Sequence, residues 1–154
     1  MEKTLTLHYE ECPLNDLSKE DRKLIDSAID ATTTAYAPYS NFHVGAALLL
    51  DDGTIVKGSN QENIAYPSGL CAERTALFSA GVSHPDRAVK ALAIVARNTD
   101  GQLVAALPCG ACRQVMAEQQ SRQGNQMRVI CYSSEESVLV FDGVESLLPF
   151  GFAW

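Results

Sequence analysis

Basic residues are scarce in this chain: 12 lysines and arginines stand against 19 aspartates and glutamates, a formal net charge of −7 over 154 residues. No run of basic side chains exceeds two. A polyanion is repelled by such a surface unless a local patch rescues it, so a nucleic acid polymer is disfavoured as a partner and a small, uncharged molecule is expected. Long apolar runs are also missing. The opening stretch MEKTLTLHYEEC holds no apolar segment of signal-peptide length, and nothing approaches a membrane span. A soluble, cytoplasmic protein with no membrane partner is the expectation. Repeats, low-complexity segments and linkers are absent, which predicts a single domain over residues 1–154. Charged residues make up only 20% and apolar ones 46%, a globular composition with length enough for a core. The five cysteines, in a reducing compartment, read as metal ligands or inert thiols and not as disulfides.

What is present falls into alternating elements. Residues 4–9 alternate like a short strand. Ser18 and Asp21 have capping-box spacing, and Leu24, Ile25, Ala28, Ile29, Thr32 and Ala35 follow at helical spacing to about Tyr36, before Pro38. Residues 42–50 read as a strand, Asp52-Gly53 as a hairpin turn and 54–58 as the returning strand. Residues 60–69 are too polar and broken for either element and suit a loop that grips a substrate. A helix over 71–80 closed by Gly81 follows, then a doubly buried strand over 89–96. A turn at Asp100-Gly101 and Pro108 lead into a helix over 109–121. Strands at 126–132 and 138–141 and a short helix at 144–148 complete the order. The alternation predicts a three-layer α/β/α sandwich on a mixed, mostly five-stranded sheet, with parallel strands after the hairpin. Both cysteine-bearing helices can then start at the carboxyl ends of strands, where open α/β sheets place their ligands.

Those helices carry Cys71-Ala72-Glu73-Arg74 and Pro108-Cys109-Gly110-Ala111-Cys112. Three thiols suit one zinc ion per chain with its fourth position left open, the mark of a catalytic and not a structural site. Helix N-termini stabilise thiolates and so favour metal binding at neutral pH. Zinc with three thiolates is net negative, which works against acidifying a bound water. Arg74 is the residue placed to withdraw electron density from a ligand sulfur, and Glu73 is the carboxylate placed to carry a proton. Two other readings stand beside this one. Pro-Cys-x-x-Cys-Arg alone fits a thioredoxin-type dithiol, although redox chemistry requires neither Cys71 nor Glu73. A structural zinc site needs a fourth ligand from Cys12, Cys131, His8, His43 or His84, none of which sits at ligand-like spacing. Cys12 and Cys131 read as small hydrophobes.

Taken together these residues resemble the cytidine deaminases, the small, three-cysteine, homotetrameric zinc class of the cytidine/deoxycytidylate deaminase superfamily. The likeness runs from Tyr39-Ser40-Asn41-Phe42-His43-Val44-Gly45-Ala46-Ala47, through the stretch from Asn60 to Ala76, to Pro108-Cys109-Gly110-Ala111-Cys112-Arg113-Gln114-Val115-Met116 and the closing Leu147-Leu148-Pro149-Phe150-Gly151-Phe152. The resemblance implies Cys71, Cys109 and Cys112 as zinc ligands and Glu73 as the proton shuttle. It implies nucleoside binding by Phe42, Asn60, Glu62, Tyr66 and Ala72, and a homotetramer whose active sites are composite, each receiving Phe152 from a neighbour. The implied activity is hydrolytic deamination of cytidine and deoxycytidine to uridine and deoxyuridine with release of ammonia, a step of pyrimidine salvage. A deaminase of a related cytosine nucleoside such as blasticidin S, or a non-catalytic zinc or redox module, are the alternatives. The apolar end, Leu147 to Trp154, has no charged side chain and is expected to be covered. Two positions depart from the family pattern. His43 stands where proline is usual, with a local backbone effect expected, and Gln61 where isoleucine is common.

Overall fold

Ser18 accepts a hydrogen bond from the Asp21 backbone N–H at 3.0 Å and so starts α1 (Lys19–Ala31), which buries Leu24, Ile25, Ala28 and Ala31. The helix does not reach Tyr36 as its spacing suggests. The hydroxyls of Thr32, Thr33 and Thr34 each donate to a carbonyl three residues back, and the chain tightens into a 3₁₀ turn (Thr32–Thr34). Three successive β-branched residues that bond back to the backbone are poor helix interior. A computed structural model describes residues 1–152; Ala153 and Trp154, the end of the apolar tail, lie outside the described residues.

The hairpin is β2 (His43–Leu50) and β3 (Ile55–Ser59). After it come α2 (Ala72–Ser83), β4 (Val89–Arg97), α3 (Gly110–Gln123), β6 (Arg128–Tyr132) and β7 (Ser137–Phe141). Two strands escaped the sequence reading, β1 (Glu10–Pro13) and the two-residue β5 (Leu103–Val104). The sheet therefore has seven strands where five were expected, in the order β1-β7-β6-β4-β2-β3 with β5 beside β4. Residues 4–9 form no strand, because the edge of β7 pairs with Glu10–Pro13 instead. Parallel pairing is confined to β4 with β6; every other pair is antiparallel. The segment at 144–148 is a 3₁₀ turn (Val144–Ser146).

Strand alternation sends side chains to two separate cores. Ala47 and Leu49 of β2 with Ala91, Ala93 and Val95 of β4 pack under α1. Ala46, Leu48, Leu92, Ile94 and Ala96 face the other way, onto Ala72, Ala76 and Leu77 of α2 and Cys112 and Met116 of α3. Helices thus cover both faces, and the unbroken apolar runs of β2 and β4 follow from burial on each side. Asp21, buried at the start of α1, pairs with Arg128 of β6 at 3.1 Å and pins that helix to the sheet. No helix among the described residues is long and apolar enough to cross a membrane.

Two glycines act differently from their sequence reading. Gly81 does not end α2, which continues to Ser83, whereas Gly124 does end α3 by taking a left-handed φ of 70°. Gly58 in β3 sets how closely α2 approaches. A Cβ there would stand 2.5 Å from both Ala72 O and Ala76 N. Gly58→Ala must push the first turn of α2 off the sheet, and overpacking of this kind costs about 1–3 kcal/mol. Gly81 has open space around it, so Gly81→Ala should stabilise the helix by about 0.5–1 kcal/mol. Thermal unfolding of the two variants should move in opposite directions; a parallel shift would contradict the close packing of α2.

Candidate metal centre and active site

Cys71 and Cys109 are the N-cap residues of α2 and α3, both with extended backbone (φ −71°, ψ 157° and φ −68°, ψ 168°). Cys112 lies one turn into α3 and is fully buried. Antiparallel pairing brings the carboxyl ends of β3 and β4 to the amino end of β2, so both helices start over one end of the sheet. The three sulfurs lie within 4.8 Å of one another, with Sγ–Sγ separations of 3.8 Å for Cys71–Cys109 and 3.5 Å for Cys109–Cys112. Zinc–sulfur bonds of about 2.3 Å at tetrahedral angles require sulfurs about 3.8 Å apart. The donor set therefore fits zinc in number, chemistry and spacing. All five cysteines are free thiols, and neither Cys12 nor Cys131 joins the cluster. Cys131 lies in the core, where burial pushes its thiol up to about 12.

The sulfurs share charge unequally. Cys71 is held down at about 5, first by a hydrogen bond from Cys112, then by the Arg74 guanidinium and by Cys109, against the resistance of burial. Cys112 is raised for the reciprocal reason, because it serves the Cys71 thiolate as a donor, and because it is buried. Arg74 Nη2 reaches Cys71 Sγ at 3.5 Å, the sulfur contact its place in the sequence suggested. Its Nε is buried without a partner among the described residues.

Glu73, 3% exposed, is the deepest acid of the site. Burial lifts its carboxyl to about 7, against its own backbone N–H, and the neighbouring Cys71 charge adds to the lift. It lines a cavity of about 370 Å³ with Cys71, Cys109, Phe42, Asn60 and Ala72. Sequence reasoning passed over the far wall of this cavity, Ala105 to Leu107, because that stretch has neither turn residues nor periodicity.

The remaining expected residues divide. Glu62 and Tyr66 line an adjoining cavity of about 440 Å³ that shares Asn60 and Cys71 with the first and adds Tyr39, Ser40 and Arg74. The Asn60 carboxamide accepts from Val44 N–H at 2.8 Å and donates to Phe42 O at 2.9 Å, so it fixes the backbone that carries Phe42. Glu62 Oε1 accepts from the Tyr39 and Ser40 backbone N–H groups at 3.0 and 3.2 Å. Hydrogen bonding from Ser40 does most to hold its carboxyl below the usual range, with the Tyr39 N–H helping. Gln61 donates to Thr34 O and Ser59 Oγ, tying the loop to the turn after α1. Tyr66 is exposed and meets Tyr39 edge to face at 5.9 Å. Phe152 lies elsewhere, across α3, against residues of the closing segment.

Residues 18–126 match the family model of the cytidine and deoxycytidylate deaminase zinc-binding region. Over 96 residues the chain is 57% identical to the cytidine deaminase of Sporosarcina psychrophila, spanning 62% of this chain and 67% of that one. Over 131 residues it is 36% identical to a probable cytidine deaminase of Dictyostelium discoideum, 85% of this chain and 82% of the relative. The crystal structure of cytidine deaminase from Burkholderia pseudomallei resembles it with a TM-score of 0.73 and 42% identity, covering 84% of this chain and 97% of that one.

The hydrogen bonding that lowers Cys71 keeps a proton on Cys112, and zinc must displace that proton on binding. Calorimetry of zinc binding to the apoprotein at pH 7 should therefore record release of at least one proton per ion. Affinity should rise from pH 6 to pH 8, and a flat profile would contradict this division of charge among the sulfurs. Arg74→Gln keeps all three sulfurs and removes the donor to one of them. Zinc affinity should fall on the order of 10–100-fold in that variant, as measured by competition with a chromophoric chelator.

Proposed function

From the premise that the chain belongs to the cytidine and deoxycytidylate deaminase zinc-binding family, we propose that it converts cytidine and deoxycytidine with water to uridine and deoxyuridine plus ammonia. One observation carries this reading: a buried acid, Glu73, shares a cavity with two of the three clustered cysteines and with Phe42 and Asn60. Cys71, Cys109 and Cys112 would hold zinc. Zinc there supplies a Lewis acid that lowers the pKa of water toward neutrality.

The chain's own residues then bind, orient and move protons. Phe42 offers an aromatic face to the body of the nucleoside, and the Asn60–Val44 and Asn60–Phe42 hydrogen bonds keep that face in place. The Asn60 amide and the Glu62 carboxylate suit ribose hydroxyls, with Glu62 Oε2 left over from its two backbone bonds. Ala72 allows the ring close approach to the start of α2, and Tyr66 borders the adjoining cavity. Glu73 takes a proton from water and gives it to ring N3 as oxygen bonds to C4. It then carries the proton of the new C4 hydroxyl to the departing amine. The C4–N bond breaks, the carbonyl of uridine forms, and ammonia leaves.

The same reading makes the protein a one-domain, cytoplasmic enzyme of pyrimidine salvage that works as a homotetramer. Phe78 and Val82 on the outer face of α2 and Ile64 in the preceding loop are exposed apolar side chains, which supports a partner surface there. Phe152 lies away from its own chain's cavity and is 75% exposed, which supports delivery of its ring to a neighbour's site.

Three measurements test this. Purified protein should turn over cytidine and deoxycytidine and process CMP, blasticidin S and an oligonucleotide poorly. Efficient use of CMP would contradict a site lined by Glu62 in a chain of net charge −7. Glu73→Gln should keep its zinc and lose deamination by at least about 10²–10⁴-fold, and activity that survives the change would remove Glu73 from the mechanism. Removing residues 150–154 should lower activity more than zinc content, in a protein that sediments as a tetramer.

A further inference from the structure

The deaminase reading assigns no work to Gln114, which lies on the zinc-bearing helix only two residues past Cys112. Its carboxamide pairs with both backbone groups of one residue at the far end of the chain. Gln114 Nε2 donates to Phe152 O at 2.8 Å, and Phe152 N–H donates to Gln114 Oε1 at 3.2 Å. A primary amide that meets an N–H and a C=O together fixes a peptide's position and direction, as a neighbouring strand does, and leaves the side chain free. Phe152 accordingly stays exposed while its backbone is tied down.

The rest of the closing segment is fastened upstream by the same helix. Arg113 Nη1 donates to Leu147 O at 2.8 Å, and Gln120 Oε1 accepts from Val144 N–H at 3.1 Å. Beyond Leu148 the chain passes Pro149 and turns at Phe150, whose φ of 57° is left-handed. Among the described residues, no hydrogen bond other than the Gln114 pair holds the backbone of 149–152. The direction taken by Phe152 therefore depends on Gln114.

We propose that Gln114 is a positioning residue that registers the C-terminal tail on the zinc helix, so that Phe152 is presented at a fixed place and angle to the neighbouring subunit's substrate. The proposal rests on the composite-site reading above. Helix α3 carries Cys109 and Cys112 on the side facing α2 and the tail anchor on another. Each subunit would thus build part of its own metal site and aim its neighbour's aromatic lid with one rigid element.

The test compares Gln114→Ala, Gln114→Glu, Phe152→Ala and the double variant Gln114→Ala/Phe152→Ala in the zinc-loaded protein. Gln114→Glu keeps size and the acceptor for Phe152 N–H but turns a carboxylate oxygen toward Phe152 O. Both Gln114 variants should keep zinc content and assembly state, and their Phe152 amides should exchange hydrogen faster than in the parent. Their kcat/KM for cytidine should fall about tenfold, the scale of one or two lost neutral hydrogen bonds, and the fall should lie mainly in KM. The double variant should be no worse than Phe152→Ala, because the two residues act in series. Gln114 variants with parental kcat/KM beside an impaired Phe152→Ala would overturn the proposal and leave the composite site standing. So would losses that multiply in the double variant, or zinc lost in step with activity. Parental activity in Phe152→Ala would instead remove the composite-site reading, and the proposal with it.

Discussion

Three sulfurs from two helices lie within 4.8 Å of one another, and everything else about the fold serves that convergence. Like charges cannot be collected so closely unless something offsets them. The two helix N-termini do so, since each presents unpaired N–H groups and about half a positive charge. For both ends to point at one ion the helices must start side by side over the same edge of the sheet. The antiparallel hairpin of β2 and β3 and the antiparallel pairing of β2 with β4 bring that about. Gly58 then lets the first turn of α2 rest on β3 without an intervening side chain. Arg113 Nε holds Pro108 O at 2.8 Å and fixes the entry to α3. A shift of an ångström in either helix would take the sulfurs out of zinc geometry.

A second device recurs around this core: a side-chain amide that pairs with backbone. Gln123 accepts from Val89 N–H and donates to Val89 O, both at 2.9 Å, and so ties the end of α3 to the start of β4. Asn60 bridges Val44 N–H and Phe42 O at the mouth of the cavity. Gln114 does the same for Phe152. Each contact lies at or beyond the end of a regular element, where some peptide groups lack a ladder or helix partner. An amide restores one donor and one acceptor at once, with no charge added beside the metal site. Backbone polar groups left unpaired on burial are costly, which explains amides where a carboxylate or ammonium would upset the local field.

Much of this was legible in the sequence, for identifiable reasons. Cys71-x-Glu73 and Cys109-x-x-Cys112 are short-range patterns tied to helix starts, so spacing together with the family resemblance pointed to three sulfurs with an acid beside the first. The unbroken apolar runs of β2 and β4 gave the doubly covered sheet. What failed was non-local. Glu10–Pro13 is a strand only because β7 offers it an edge, and two glutamates, a cysteine and a proline carry no signal of that. Gly81 resembles a helix stop yet keeps helical backbone, because nothing nearby demands a turn, whereas Gly124 has the left-handed φ that ends α3. The parallel arrangement inferred from alternation held for β4 and β6 alone, since β7 returns beside β6 as a hairpin. Asn60 and Glu62 stood out only through the family resemblance, and their grip on the 39–44 backbone depends on a loop path that no periodicity encodes.

Charge decides what such a site can accept. A dication on three thiolates leaves one negative charge, and the Arg74 contact to Cys71 at 3.5 Å offsets it. Glu73 brings a further acid into a cavity where burial already favours its protonated form. Glu62 lies in the adjoining cavity, its carboxyl held ionised by the hydrogen bonding of Ser40 and Tyr39. Every acid is thus either neutralised locally or kept at the rim, with no cationic side chain other than Arg74 lining either cavity among the described residues. Arg74 is committed to sulfur. A phosphate would meet the Glu62 carboxylate and no free cation among the described residues lining the two cavities, in a molecule of net charge −7. A neutral nucleoside meets none of these penalties, and the Glu62 carboxylate keeps one oxygen free of backbone bonds.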